Sequence, residues 1–337
     1  MSTAQTAPKN DEQAWRDEVR HAIRSPRQLI ERLGVSEVNL DGAETAHGDF
    51  PLLVPHSYIE RIEPGRIDDP LLRQVMPTAL ETTPQPAGFS TDPLAEQSPD
   101  SDSAILQKYA NRALLVTTGA CAIHCRYCFR RSYPYSQQNS WRAALRYWHR
   151  EGAPEEVILS GGDPLMLGDQ ALCELIDGLE QIAGLRRLRI HTRMPIALPA
   201  RITTALVERF RASPLQIVWV VHANHPQEIN DAVCASLARL RHGNMTLLNQ
   251  SVLLRGVNDD PKTLAQLSEQ LFSAGALPYY LHQLDRISGA AHFAVSPTTA
   301  SSIIAELAAS LPGYLLPRLV REDPGAASKT TLAPPPC

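Results

Sequence analysis

The stretch Gly119-Ala-Cys121-Ala-Ile-His-Cys125-Arg-Tyr-Cys128-Phe-Arg-Arg131 holds three cysteines within eight residues. The other cysteines, Cys173, Cys234 and Cys337, are scattered along the 337-residue chain and are too few for a disulfide scaffold. Three thiols held close together by a loop are suited to an iron–sulfur cluster or to zinc. Because zinc normally takes a fourth protein ligand and only His124 lies nearby, the pattern favours a [4Fe–4S] cluster with one open iron over a structural zinc knot.

Six short apolar runs follow one another along the chain, and the first ends just before the cysteines. Such runs are typical of buried parallel strands, the segments between them have helical patterning, and no signal of an antiparallel hairpin is present. This alternation predicts a parallel sheet, either doubly wound or curved into a barrel. The predicted strands are Ala113–Thr118, Glu156–Ser160, Leu188–Thr192, Gln216–His222, Thr246–Ser251 and Tyr279–Gln283. The predicted helices between them are Trp141–Arg150, Asp169–Ile182, Ile202–Arg211, Gln227–Leu240 and Thr263–Ser273.

Polar residues with distinctive chemistry follow nearly every predicted strand. After the cysteines come Ser160-Gly-Gly-Asp163, His191-Thr-Arg193, His222-Ala-Asn-His225, Asn249-Gln-Ser251 and His282-Gln-Leu-Asp285. A (β/α) barrel collects functional side chains from many strands at one face, whereas a doubly wound sheet concentrates its site at one crevice. We therefore predict an α/β fold with a partial, open (β/α)6 barrel of the TIM type.

The remaining parts of the chain differ from the predicted barrel in pattern. Residues 1–105 are predicted to form a helical and irregular arm, with two short helices in residues 12–33, the second capped by Ser25 and started by Pro26. Residues 106–320 are predicted to form the barrel, and residues 321–337 a C-terminal segment. We expect the arm and the C-terminal segment to close the mouth of the barrel.

Composition narrows the class of protein. The chain is 43% hydrophobic and 20% charged, so it can bury a large core. Its 32 basic and 36 acidic residues give a formal net charge of −4, which argues against a nucleic-acid-binding protein. The start lacks the pattern of a signal peptide and no run approaches the roughly 18 apolar residues of a membrane span, so we expect a cytoplasmic protein without a membrane partner.

The spacing C-x3-C-x2-C, with Tyr127 directly before the third cysteine, resembles the radical S-adenosylmethionine superfamily. The resemblance implies that the three cysteines hold a [4Fe–4S] cluster and that its open iron binds S-adenosylmethionine, whose reductive cleavage releases a 5′-deoxyadenosyl radical. It also implies that the serine, two glycines and aspartate after the second strand form the superfamily's glycine-rich segment. The candidate S-adenosylmethionine contacts are Ser160, Gly161, Gly162, Asp163, His222 and Gln250.

Residues 108–331 resemble the lysine 2,3-aminomutase family more closely than the superfamily as a whole. The segments Cys125-Arg-Tyr-Cys-Phe-Arg-Arg131, His191-Thr-Arg-Met-Pro195 and His222-Ala-Asn-His-Pro-Gln-Glu228 carry this resemblance. Within the family, the chain is most similar to the short bacterial branch that makes (R)-β-lysine for the modification of elongation factor P. The resemblance implies an isomerase that converts L-lysine to β-lysine, an external electron donor for the cluster, and a separate ligase that uses the product.

The family also uses pyridoxal 5′-phosphate, which a lysine must hold. Lys329 lies in Pro324-Gly-Ala-Ala-Ser-Lys-Thr-Thr331, a run of small residues that resembles the glycine-rich segment before the family's pyridoxal lysine. The family has four glycines where this chain has Gly325-Ala-Ala-Ser328. Further candidates for contacts to the cofactor phosphate or to a carboxylate are Arg112, Lys108 and Arg193.

The resemblance also implies which residues bind the two ends of the substrate. Arg130 matches the family's carboxylate-binding arginine, and a guanidinium offers the bidentate fork that a carboxylate prefers. Asp285 matches the aspartate that receives the ε-ammonium of lysine, and a second carboxylate is expected seven residues before Lys329. That position is Glu322, with Asp323 beside it, and the sequence does not decide which of the two faces the pocket.

Three other functions fit parts of the pattern. An aminomutase could act on glutamate or another amino acid, although Asp285 and Glu322 would repel an anionic side chain. A radical S-adenosylmethionine enzyme could act on RNA or a peptide, in which case Lys329 would have no pyridoxal phosphate to hold. A metal-binding protein without catalytic activity would bind zinc and would ignore S-adenosylmethionine.

Overall fold

The computed structural model describes residues 11–36, 40–97, 104–137, 140–152, 154–243 and 245–332. Its helices are α1 (Asp11–His21), α2 (Pro26–Leu33), α3 (Leu40–Asp49), α4 (His56–Ile59), α5 (Pro70–Val75), α6 (Trp141–Glu151), α7 (Asp169–Glu180), α8 (Met194–Ala197), α9 (Thr204–Arg211), α10 (Asp231–His242), α11 (Pro261–Ser273) and α12 (Pro297–Ser310). Its strands are β1 (Ile105–Tyr109), β2 (Arg112–Thr118), β3 (Glu156–Gly161), β4 (Arg187–Thr192), β5 (Gln216–Val221), β6 (Thr246–Leu253), β7 (Leu277–Gln283), β8 (Arg318–Arg321) and β9 (Thr330–Thr331).

The strands form one sheet in which neighbours in sequence are neighbours in space, from β1 to β9. Strands β2 to β8 run parallel, while β1 and β9 pair antiparallel at the two edges. A helix follows each strand from β2 to β7, which gives six β/α units. Because the sheet ends at β1 and β9 without joining them, the predicted partial (β/α)6 barrel is confirmed.

Three elements differ from the prediction. β1 and β2 form an antiparallel hairpin joined by Ala110-Asn111, which lacks the Asn-Gly or Asp-Gly sequence that marks such turns. β8 adds a seventh parallel strand that is too short to form a recognisable apolar run. Helix α12 was not predicted either, although its buried residues have helical spacing: Ala300, Ile303, Ile304 and Leu307.

Buried and partly covered side chains alternate along the strands, and this alternation separates the hydrophobic core from the interior of the barrel. In β4, Leu188, Ile190 and Thr192 are buried, whereas Arg189 and His191 between them are only partly covered. Successive side chains of a strand point to opposite faces of the sheet. The apolar set packs against the helices in the main core, and the polar set is left to line the inside of the barrel.

The N-terminal arm packs on the barrel through its own apolar cluster. This cluster includes Val54, Tyr58 and Leu71 of the arm together with Ile123 and Ala197 of the barrel. It places the arm directly against the cysteine loop, residues 119–131. Among the described residues, no helix has both the length and the apolar character needed to cross a membrane.

Candidate active site

Two adjoining cavities lie at the carboxyl ends of the parallel strands. The cysteine chamber is lined by Cys121, Cys125, Cys128 and the turn after β3, and the lysine chamber by Lys329, Glu322, Lys108 and Arg112. The residues common to both linings form a shared wall: Phe129, Arg130, Ser160, His191, His222, Gln250, Val252 and Asp285. Every site residue predicted from the sequence therefore lies on one of these chambers or on the wall between them.

The donor set of the cysteine chamber fits an iron–sulfur cluster. All three thiols line the same cavity, yet no group of three or more His, Cys, Asp or Glu side chains in the described ranges is arranged to hold a metal ion. His124, the nearest candidate for a fourth zinc ligand, stacks on Phe50 and contacts the carbonyl of Pro51 at 2.7 Å. Three thiolates suit a [4Fe–4S] cluster with one open iron, whereas zinc in a structural site normally takes four protein ligands.

Burial favours the protonated form of Cys121 and Cys128. It raises the pKa of Cys128 to about 11 and places the pKa of Cys121 well above its usual value. Thiolates, not thiols, bind iron, so loading of the site must release protons.

Arg193 lies beside the cysteines and outside the lining of the lysine chamber. Its guanidinium donates to Cys125 Sγ at 2.6 Å, to Gln74 Oε1 at 2.7 Å and to Glu228 Oε2 at 2.9 Å. The side chains of Arg193, Gln74 and Glu228 are buried. The structure thus assigns this arginine to the surroundings of the cluster ligand.

The glycines at the end of β3, Gly161, and directly after it, Gly162, are required by the cysteine loop. Gly161 has a φ of +118° and Gly162 donates to the carbonyl of Thr118 at 2.7 Å. A Cβ atom on Gly162 would lie 2.3 Å from the carbonyl oxygen of Ala120. Asp163 is buried and accepts from the backbone N–H of Arg193 at 2.8 Å. This segment therefore fixes the turn and the cysteine loop against each other.

Gly162→Ala is expected to destabilise the protein by about 2–3 kcal/mol, because backbone atoms of the cysteine loop must move away from the new methyl group. The matched control is Gly48→Ala in α3, where no heavy atom lies within 4 Å of the new Cβ and a small gain in helix stability is expected. Chemical denaturation of both variants measures the difference. Equal stability of the two variants would contradict the close packing of this turn.

Lys329 and Glu322 form one part of the lysine chamber, here called its acidic end. Lys329 Nζ pairs with Glu322, whose other oxygen accepts from the hydroxyl of Tyr109 at 2.7 Å. Burial works to raise the pKa of Glu322, but Lys329 and the two hydrogen bonds outweigh it and lower the pKa below its usual value. Asp323 pairs instead with Arg321 and Thr330. Glu322 is thus the carboxylate that faces Lys329.

A second group of side chains in the lysine chamber, here called its basic end, consists of Arg130, Lys108 and Arg112. Arg130 is buried and donates to both oxygens of Glu96, at 2.7 and 3.1 Å, and to Ser160 Oγ at 3.1 Å. Lys108 Nζ lies 3.0 Å from Glu96. Arg112 stacks on the ring of Tyr109 at 4.0 Å and, across the described residues, has no carboxylate partner. This end therefore carries more positive than negative charge.

Three histidines also line the lysine chamber. The Nε2 atoms of His191, His222 and His282 are buried and, in the part of the chain that the structure describes, have no hydrogen-bond partner. Burial lowers the pKa of His222 to about 3 and lowers the pKa of the other two as well. Neutral imidazoles with an open nitrogen are suited to hydrogen bonding with a bound cofactor.

Sequence reasoning missed the side chains that hold the site residues in place. Glu96 holds Arg130, Glu228 holds Arg193, and Glu81 accepts from buried Arg126 in the cysteine loop at 2.6 Å. Each of these pairs joins residues 34 or more positions apart, outside any local motif. His191 and His282 did have a signal, since both lie at strand ends, but nothing else distinguished them.

The amino-acid sequence has several close relatives among characterised proteins. It is 48% identical over 323 residues to the L-lysine 2,3-aminomutase of Escherichia coli (strain K12), covering 94% of each chain. It is 46% identical over 327 residues to the protein of that name from Haemophilus influenzae, covering 96% of each. It is 32% identical over 326 residues to the Clostridium subterminale L-lysine 2,3-aminomutase, covering 95% of this chain and 78% of the relative. No family model matches the sequence.

Two solved structures align with part of the chain. SuiB of Streptococcus suis bound to S-adenosylmethionine aligns with a TM-score of 0.46 and 12% identity, over 60% of this chain and 47% of its own. A radical SAM methyltransferase from Sphaerobacter thermophilus aligns with a TM-score of 0.46 and 15% identity, over 64% of this chain and 68% of its own.

The sequence relatives confirm the resemblance seen in the motifs. The match to the E. coli and H. influenzae proteins extends over nearly the whole of each chain, as expected for the short branch. The chain belongs to the L-lysine 2,3-aminomutase family, whose name denotes isomerases that move an amino group within their substrate.

Proposed function

We propose that the protein is a radical S-adenosylmethionine enzyme that converts L-lysine to (R)-β-lysine with the help of pyridoxal 5′-phosphate. The observation that carries this proposal is the shared wall between the cysteine chamber and the lysine chamber. A radical made at the cysteines must reach a substrate held at Lys329, and the two chambers lie side by side along Arg130, Ser160 and Asp285.

The residues present fit all three cofactors. The three thiols suit a [4Fe–4S] cluster, and Ser160, His222 and Gln250 on the wall would contact S-adenosylmethionine. Lys329 would hold pyridoxal phosphate, and Arg112 in the same chamber would bind its phosphate. When bound, the cluster and S-adenosylmethionine supply a carbon-centred oxidant for hydrogen abstraction, and pyridoxal phosphate supplies a π-system for migration of nitrogen from C2 to C3.

The charges of the lysine chamber favour lysine as the substrate. Asp285 and Glu322 line this chamber and can receive an ε-ammonium, and Arg130, which also lines it, can bind an α-carboxylate. A substrate with an anionic side chain would meet these two carboxylates. This arrangement supports a diamino acid over glutamate.

The protein's own residues have three tasks in this proposal. Arg130 orients the α-carboxylate, Asp285 and Glu322 orient the ε-ammonium, and the β-carbon between them is thereby held against the shared wall. The apolar side chains of Phe129 and Val252 on the wall exclude water, which protects a radical from quenching. An external electron donor would reduce the cluster.

An anaerobic assay tests the proposal. The protein is reconstituted with iron and sulfide and incubated with pyridoxal phosphate, S-adenosylmethionine, dithionite and L-lysine, and the amino acids are separated by chiral chromatography. Formation of (R)-β-lysine supports the whole proposal. Cleavage of S-adenosylmethionine without formation of β-lysine would support the proposed radical chemistry but refute lysine as the substrate.

We propose further that a separate ligase attaches the product to elongation factor P. The support is the resemblance to the short bacterial branch and the nearly complete match with the E. coli and H. influenzae relatives. The mass of elongation factor P from cells with and without the gene for this protein tests the link. Unmodified factor in both cells would exclude it.

The pH dependence of lysine turnover follows from Asp285. Burial raises the pKa of this carboxyl to about 7, so it is neutral below that pH and ionised above it. Only the ionised form attracts the ε-ammonium of lysine. We therefore expect kcat/KM for lysine to rise with pH through about 7, since this parameter reports ionisations of the free enzyme.

Asp285→Asn should remove this rise and lower kcat/KM above the transition by about 10- to 100-fold. The control is Asp323→Asn, because Asp323 pairs with Arg321 and Thr330 outside the lysine chamber. The control should keep the rise. A pH profile of Asp285→Asn that matches the wild type would assign the ionisation to another group.

A further inference from the structure

Glu96 occupies an unusual position for a carboxylate in this site. It comes from the N-terminal arm, is 7% exposed, and reaches the basic end of the lysine chamber. There it accepts from Arg130 Nε at 2.7 Å and from Arg130 Nη2 at 3.1 Å, and it pairs with Lys108 Nζ at 3.0 Å. Neither the proposed cofactors nor the proposed substrate needs an anion at this end.

The backbone around Glu96 is fixed in an uncommon conformation. Ala95 has a φ of +51°, the left-handed region that residues other than glycine rarely adopt, and among the described residues it is the one non-glycine residue with a positive φ. The carboxylate of Asp92 accepts from the N–H groups of Glu96 and Gln97, both at 2.9 Å. This turn holds Glu96 in place independently of Arg130.

The contacts of Arg130 show which of its donors Glu96 uses. Glu96 takes the side edge of the guanidinium, formed by Nε and one Nη2 hydrogen, and Ser160 Oγ takes one Nη1 hydrogen. A guanidinium has five N–H donors, so one on each Nη remains. These two remaining donors are on the terminal nitrogens, where a second carboxylate can be bound.

The charges around Arg130 also favour the binding of a second carboxylate. Burial works to raise the pKa of Glu96, but Arg130 and Lys108 outweigh it and hold the pKa below its usual value, so the carboxylate stays ionised. Among the described residues, Glu96 is the carboxylate in ion-pair contact with Arg130 and Lys108, and Lys108 is also close enough to Asp285 and Glu322 to interact with them. The α-carboxylate of an amino acid would add a second anion to Arg130, whereas an amine without a carboxylate would not.

We propose that Glu96 is a positioning residue that makes the enzyme select α-amino acids over amines by orienting Arg130. The proposal rests on the proposed function, because it takes Arg130 as the group that binds the substrate carboxylate. Glu96 stays in place when the substrate binds, since Asp92 anchors its backbone and its carboxylate uses a different edge of Arg130 from the one left for the substrate.

Two ligands test the proposal, lysine and cadaverine, which is lysine without its carboxylate. Binding is followed by the visible absorbance of pyridoxal phosphate in protein saturated with that cofactor, without S-adenosylmethionine. In Glu96→Gln we expect the Kd for lysine to rise by about 10- to 100-fold and the Kd for cadaverine to change by less than about 3-fold. Glu96→Asp, which restores the charge, should recover part of the lysine affinity.

Arg130→Gln and the double variant show whether Glu96 acts through Arg130. If it does, Glu96→Gln adds little to the loss already caused by Arg130→Gln, because interacting residues are not additive. The matched control is Asp169→Asn, which removes the partner of Arg201, a fully buried arginine outside both chambers. This control should leave both Kd values unchanged. It would show that breaking an ion pair of a buried arginine is not in itself enough to weaken the binding of lysine.

Each other outcome has a definite meaning. Equal losses for lysine and cadaverine, additive losses in the double variant, or tighter lysine binding in Glu96→Gln would overturn the proposal, the last because Glu96 would then compete with the substrate. A wild-type protein whose absorbance does not respond to lysine would refute the proposed function itself. The two failures are therefore distinguishable.

Discussion

Lys329→Ala is expected to lower the rate of β-lysine formation by about 10³-fold or more, because the variant has no amine to hold pyridoxal phosphate at the acidic end of the lysine chamber. Lys329 is half-buried there, between Glu322 and the ring of Tyr280, whose centroid lies 5.8 Å from Nζ. The variant should also lose the visible absorbance of bound pyridoxal phosphate. Both quantities are measured on protein reconstituted in the same way as the wild type.

Lys262→Ala is the matched control for this experiment. Lys262 is an exposed residue in the first turn of α11 and does not line either chamber. Its replacement should leave both the absorbance and the rate unchanged. Full absorbance in Lys329→Ala would show that another lysine holds the cofactor and would remove the basis for the lysine chamber as the site of reaction.

Cys125→Ala is expected to have an equally large effect through a different cofactor. Loss of one of three thiolates leaves the cluster without a ligand for one iron, so iron content, brown colour and cleavage of S-adenosylmethionine should all fall to background. The absorbance of pyridoxal phosphate should persist, because Cys125 does not line the lysine chamber. The two variants together separate the functions of the chambers.

Cys173→Ala serves as the control for the cysteine variant. Cys173 is half-buried on α7 and does not line the cysteine chamber. Its replacement should keep the iron and the colour. Retention of stoichiometric zinc and no iron in the wild type would contradict the cluster assignment instead.

The fold could be predicted because its signals are local. Strands such as Glu156–Gly161 are short apolar runs, and the polar residues after them mark the face where the site lies. The cysteine loop and Lys329 were predicted from equally local patterns, the spacing of the cysteines and the resemblance of residues 324–331 to a family segment. The antiparallel strand β1 was missed because its residues are only partly covered or exposed and its turn has no strong signal.

The supporting residues could not be predicted because they depend on contacts between distant parts of the chain. Glu96 and Glu81 lie in an arm of little periodicity, and their roles appear only when the arm packs against the barrel. The choice between Glu322 and Asp323 likewise depends on Tyr109, which is 213 positions from Glu322 in sequence. Sequence spacing has no information about such pairs.

The open side of the barrel has a mechanical consequence. In a closed barrel, the number and stagger of the strands fix the circumference. Here the sheet ends at β1 and β9, and the hydrogen bond from Tyr109 to Glu322 joins the first strand to the end of β8. Among the described residues, no strand pairing joins these two edges. Strand pairing therefore does not fix the circumference of this barrel at the side that holds Lys329.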